Sequence, residues 1–163
     1  MSKSFQWRKQ FLRRTNGNCN KHPREAGSEI KQDNFHERAA ILILEELMFA
    51  DKVFAFVERN RGLDGAGIDF IVGRHVRCGR NGRILRIHIQ HKPSMRAARQ
   101  FAETNPCIPI WVYRLEMPVL EGKIDILNII VKVLAIVSSP HVKIFKEKLA
   151  YFESLREKDL QTA

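Results

Sequence analysis

Two runs of apolar and β-branched residues, 68–77 and 83–91, flank Gly79-Arg80-Asn81-Gly82, and this pairing constrains the fold more than any other stretch. Gly-rich and Asn-containing connections of this kind close hairpins, so the two runs are expected to be antiparallel neighbours. Side chains alternate across a strand. Arg86, His88, Gln90 and Lys92 therefore share one face, while Leu85, Ile87, Ile89 and His91 take the other. A turn with an even number of residues pairs odd positions of the first strand with even positions of the second, which sets Asp69 on the face of Gln90 and Lys92. With Cys78 opposite Arg83, Asp69 is expected to face Lys92 and to lie diagonal to Gln90.

The flanking pattern extends the hairpin into an α/β unit. Ala40, Ile41, Leu44, Leu47 and Met48 recur at helical spacing over 35–50, with Asp33 or Asn34 as candidate caps. Residues 52–59 are β-branched and aromatic, and 60–67 supply a loop. Ser94 can cap a helix over 95–104, Asn105-Pro106 ends it, and 107–114 read as a fourth strand. Two further helices are expected over 121–137 and 141–158, the last with Val142, Phe145, Leu149, Phe152 and Leu155 on one stripe. The core order is αβββαβ, followed by C-terminal helices that together occupy about 119–160.

A chain of 163 residues favours one domain, here 35–163 with its core over 35–114, preceded by a polar, basic arm over 1–34. Within the arm, Phe5, Trp7, Phe11 and Leu12 are the large apolar side chains, interleaved with cations that could lie along phosphates or dock on the domain. Lys and Arg outnumber Asp and Glu by 28 to 18, a net charge of +10 that favours a polyanionic partner, nucleic acid before lipid. The longest apolar tract, 124–137, is interrupted by Asp125, Asn128 and Lys132, so no membrane span is expected. Cys19, Cys78 and Cys107 are odd in number and widely spaced, which argues against a disulfide framework and fits a reducing, cytoplasmic setting. Cys19 and His22 could form half a zinc site, but no second pair completes it.

An acid, an amide and a lysine on one face at the ends of central strands make a candidate hydrolytic site. Phosphodiester hydrolysis needs a hard cation with oxygen ligands and a cationic group for the developing phosphate charge. Asp69 supplies a carboxylate, Gln90 a neutral amide oxygen and Lys92 the cation. Because Gln90 brings no charge, a second carboxylate gains importance.

Glu37-Arg38, Gly67-Ile68-Asp69 and Gln90-His91-Lys92, set in an αβββαβ order, resemble the motifs of the PD-(D/E)xK nuclease superfamily, and within it the Holliday junction resolvases and restriction-endonuclease-like proteins. The resemblance runs over 35–114 and implies a mixed central sheet flanked by helices. It also implies a Mg²⁺-dependent DNA endonuclease, with Mn²⁺ as an alternative ion. On that resemblance Asp69 is the central metal ligand, Gln90 a variant of the usual acid, Glu37 the second carboxylate and Lys92 the catalytic lysine. The His91 carbonyl would complete the shell. DNA repair or recombination, and a branched substrate, are the implied settings.

Around this set, Arg96 and Arg99 could clamp phosphates or form a solvated helix face, and His88 could approach a phosphate or be held within the fold. His88 and His91 fall on opposite strand faces, which argues against joint ligation. Glu45 and Glu46 are expected at the helix surface and Asp64 in a loop, while Trp111 and Tyr113 are expected in the core. A homodimer through the C-terminal helices would supply two sites for cutting two strands. The competing reading is a catalytically inactive nucleic-acid-binding module on the same fold.

Overall fold

The structure, a computed structural model, describes residues 29–59, 67–76 and 82–162. The chain divides into two compact units, Met1–Ile30 and Lys31–Ala163. The expected arm up to residue 28, with Cys19 and His22, lies outside the described residues, as do Asp64, Cys78 and the hairpin tip at 77–81.

The described residues carry helix α1 (Glu29–Phe49), strands β1 (Phe56–Arg59), β2 (Phe70–Val76) and β3 (Arg83–Lys92), helix α2 (Met95–Thr104), strand β4 (Ile110–Val112), and helices α3 (Val119–Ile136) and α4 (Val142–Thr162). The α/β class and the αβββαβ order followed by two helices match the sequence reading. The strands form one sheet in the order β1-β2-β3-β4, antiparallel except for the parallel β3–β4 pair. A parallel pair cannot be closed by a tight turn, and α2 is the crossover that joins it.

Three boundaries move for identifiable reasons. α1 starts at Glu29, so Asp33 and Asn34 lie inside the helix instead of capping it. The added Glu, Lys and Gln residues lose little rotamer freedom in a helix, although they add no apolar signal. β1 begins only at Phe56, because Val53 N–H returns to the Leu47 carbonyl at 2.7 Å and Lys52 takes a φ of 52°. β4 shrinks to three residues because Ile108 N–H still turns back to the Asn105 carbonyl and Pro109 has no N–H to give a sheet ladder.

The β2–β3 register also differs. Phe70 pairs with Ile89 and Val76 with Arg83, which leaves residues 77–82 between the paired ends. That connection is two residues longer than the four-residue turn of the sequence reading, an even change. Parity is therefore kept, but Asp69 falls opposite Gln90 instead of Lys92.

The sheet has one closed and one open face. Phe70, Val72, Ile87, Ile89 and Trp111 point into a core completed by Ala40, Leu44 and Leu47 of α1, Ile126, Leu127 and Ile130 of α3, and Phe145 and Phe152 of α4. Each Val, Leu, Ile or Phe of this set contributes roughly 1.5–3 kcal/mol by leaving water. Trp111 stacks on Tyr113, and both are buried as expected. Gly122 permits a close approach of α3 to this core, since a Cβ there would stand 2.6 Å from Ile43 Cδ1 and 2.8 Å from Tyr113 Cε2. Behind this core Lys123, 7% exposed, pairs with Asp51 at 2.7 Å and Glu46 at 3.0 Å, tying the end of α1 to α3. No helix among the described residues is long and apolar enough to cross a membrane.

Candidate metal and nucleic-acid site

The open face is built in rows across β1, β2 and β3. Phe56, Gly73 and Arg86 form one row, with the Arg86 guanidinium 5.6 Å from the Phe56 ring centroid. Glu58, Ile71 and His88 form the next. Beyond it, Asp69 and Gln90 continue the pairing, held by Asp69 N–H to the Ile89 carbonyl at 3.1 Å and Gln90 N–H to the Pro109 carbonyl at 2.9 Å. Parallel pairing then places Val112 beside Lys92. β3 sits between β2 and β4, so the side chains at its C-terminal end are flanked by strands on both sides.

That position explains why three polar residues in sequence, Gln90, His91 and Lys92, end in different surroundings. His91 points into the core, 5% exposed, where its Nε2 donates to the Tyr113 carbonyl at 2.8 Å. Burial holds its imidazole pKa below the usual value, against the opposing effects of the Tyr113 hydrogen bond and the Glu37 charge. Gln90 faces the other way and is 4% exposed. Lys92, half-buried, places Nζ 4.8 Å from the centroid of the Phe101 ring on α2. His88 is exposed on the open face, and Arg96 and Arg99 are exposed on α2.

The Asp69 carboxylate lies at the centre of this end of the sheet. Its Oδ2 accepts from the His91 backbone N–H at 2.8 Å and from Gln90 Nε2. Gln90 Nε2 also donates to the His91 carbonyl at 3.1 Å. Two oxygens thus converge on the amide nitrogen, while Gln90 Oε1 is buried and has no hydrogen-bond partner among the described residues. Leaving a buried acceptor unpaired costs roughly 1–3 kcal/mol. A half-turn of the amide would exchange its nitrogen for its oxygen and turn the same point into a convergence of three oxygens, the donor chemistry of a hard divalent cation. The residues present therefore fit such an ion through Asp69, Gln90 and the His91 carbonyl.

Glu37 has a different partner. Its Oε1 accepts from Arg59 NH2 at 2.7 Å, and Arg59, paired with Phe70, belongs to the core side of the sheet. Of the other acids of α1 and β1, Glu46 binds Lys123, Glu45 is half-buried with its carboxyl pKa pushed up by that burial, and Glu58 is exposed on the open face. Among the described residues no group of three His, Cys, Asp or Glu side chains stands at metal-ligand spacing. A cleft of about 430 Å³ lined by Ser94, Met95, Val112, Arg114, Met117 and Asp125 takes in none of the predicted site residues. Cys107 is a free, exposed thiol.

Sequence reasoning missed Phe101 and gave Gly67 only a place in a motif. Phe101 is the one aromatic residue of α2, and its ring edge occupies the space where Gly67 would carry a Cβ. Those two facts, an isolated aromatic and a glycine two residues before an acid, were the available signals. In comparisons with known proteins, no family model, no curated protein and no solved structure matches this chain.

Proposed function

We propose that this chain is a Mg²⁺-dependent endonuclease that hydrolyses DNA phosphodiester bonds, with a restriction-endonuclease-like core and the variant motif Gly67-Ile68-Asp69 with Gln90-His91-Lys92. The observation that carries the reading is the convergence of Asp69 Oδ2 and the His91 carbonyl on a Gln90 amide whose own oxygen is buried and unpartnered. Asp69, Gln90 and the His91 carbonyl would hold the ion; a bound Mg²⁺ supplies a water of lowered pKa and neutralises charge on the scissile phosphate.

The chain's own residues set the rest. The His91 N–H fixes one Asp69 oxygen, so the carboxylate is oriented before any ligand arrives. Lys92 emerges on the same face and carries the positive charge that the pentacoordinate phosphate requires. Exposed Arg86 and His88 on β3, with Arg96 and Arg99 on α2, supply basic contacts for the flanking backbone. Mn²⁺ would satisfy the same oxygens.

Linear, nicked and four-way DNA incubated with and without Mg²⁺ tests the reading. Cleavage should require the ion, disappear in Asp69→Ala and fall by about 10²–10³ in Lys92→Ala. Cleavage that survives both substitutions would exclude this site. The second reading, an inactive nucleic-acid-binding module, is favoured by the Gln90 amide donating to Asp69 instead of offering its oxygen. It gives salt-dependent DNA binding without cleavage and without sensitivity to Asp69→Ala.

A further inference from the structure

We propose that the cleft beside the end of β3 is a base subsite: it receives an unpaired guanine of a bound strand, with Asp125 accepting from the donor edge of the base and Arg114 contacting its phosphate. That this base lies next to a scissile phosphate rests on the nuclease reading above. The cleft, about 430 Å³, has the size of small-molecule sites, which run about 300–1,000 Å³. Val112 forms part of its wall and pairs with Lys92, so the cleft opens one strand away from the lysine assigned to the phosphate. Helix α2 begins at the same wall. Ser94 Oγ caps it by accepting from Ala97 N–H at 3.2 Å, and the helix end adds partial positive charge to the rim.

The lining divides into apolar surface and two charges that do not meet. Met95, Val112 and Met117 supply the apolar part, and thioethers make favourable contacts with an aromatic ring. Arg114 and Asp125 line the same cleft, yet they are not within ion-pair distance, and among the described residues neither has another salt-bridge partner. The cation whose charge acts on Asp125, Arg156, pairs instead with Glu121 at 3.5 Å. Burial raises the Asp125 carboxyl pKa and the Glu121 charge adds to that, against the Arg156 charge. A half-buried carboxylate in this state gains from paired N–H donors that replace its lost hydration. Guanine offers two adjacent donors, its ring N–H and its exocyclic amino group, to the two oxygens of one carboxylate. Its nucleotide thus supplies a donor edge for Asp125, an aromatic ring for the methionines and an anion for Arg114. A base inside a duplex turns that edge to its partner, so the guanine that enters is unpaired or flipped out.

The test uses the full chain with methyl-labelled methionine and three probes: dGMP, dIMP, which lacks only the exocyclic amino group, and deoxyguanosine, which lacks the phosphate. In NMR titrations dGMP should shift the Met95 and Met117 methyl resonances and leave Met48, packed against the core, in place. dIMP should bind about tenfold more weakly, and Asp125→Asn should abolish that preference. Arg114→Ala should weaken dGMP about fivefold and leave deoxyguanosine unchanged. A dGMP titration that moves neither methyl overturns the proposal, as do equal affinities for dGMP and dIMP, a preference that survives Asp125→Asn, or a dGMP affinity unchanged by Arg114→Ala. Guanine binding of this kind in a protein that cleaves no DNA with Mg²⁺ sinks the nuclease reading alone, whereas cleavage by a protein without such binding sinks the base subsite alone.

Discussion

Among the described residues, the polar groups around Lys123 and those around Gln90 are resolved in opposite ways. Lys123, behind the core, has two carboxylates at 2.7 and 3.0 Å and the Phe152 ring 5.2 Å from its ammonium. Lys148 adds a hydrogen bond to the Asp51 carbonyl at 3.2 Å. At the end of β3, Gln90 is buried and donates to Asp69, yet its own oxygen has no partner among the described residues. A closed cluster fixes elements relative to one another. An open one retains capacity for something that arrives later, and evolution tolerates its desolvation cost where that capacity is used.

The difference can be broken most forcefully at Lys123. Replacing it with Ala should lower unfolding free energy by about 3 kcal/mol, since Asp51 and Glu46 then lose their shared cation while remaining partly dehydrated. Urea denaturation measures this, and Asp69→Asn provides the contrast, with a change under about 1 kcal/mol. Equal losses at both positions would erase the distinction.

Gln90→Glu sharpens the open half. A second carboxylate beside Asp69 is repelled when no ion is present, so stability in chelator should drop by about 2 kcal/mol. Added Mg²⁺ should restore it and raise the melting temperature more than in the wild type, because ligand binding to the folded state alone is stabilising. A variant that is destabilised and indifferent to Mg²⁺ would argue that three oxygens do not converge there.

His91 gives a smaller effect, with a sign set by burial. Its folded pKa is lowered below the usual value near 6.5, so the unfolded chain takes up a proton first as pH falls. Its contribution to stability is thus present above about pH 6.5 and is lost on acidification toward the folded pKa, with a slope of at most about 1.4 kcal/mol per pH unit. His91→Gln keeps a donor for the Tyr113 carbonyl and should flatten that limb of the pH–stability curve. An unchanged limb would assign the acid sensitivity to other groups.

These contrasts also mark what the chain made legible. Alternation along 83–92 sorted His91 from Gln90 and Lys92, and hairpin parity brought Asp69 to their face, because both depend only on the two-residue period of a strand. The register was not legible: the tip between Val76 and Arg83 is longer than its Gly-Arg-Asn-Gly signal, and a shift of two preserves every face. The stripe Val142, Phe145, Leu149, Phe152 and Leu155 predicted which side of α4 packs on the core. Ion pairs between distant elements left no local mark. Nothing near Glu37 announces Arg59, and nothing near Lys123 announces its burial against Asp51 and Glu46.

The weakest expected effect falls on the rim of the open face. Arg96 and Arg99 are three residues apart on α2, exposed, and among the described residues neither forms an ion pair. If they meet phosphates, each contact releases counterions, and Arg96→Ala/Arg99→Ala should reduce the slope of log affinity against log salt by about 2 on duplex DNA. The affinity loss itself should stay below about tenfold at moderate salt, because exposed charges contribute modestly and are screened. Fluorescence anisotropy across a salt series measures both quantities. A slope that does not change would confine DNA contacts to β3 and the arm, and the open face would then end at Lys92 instead of extending over α2.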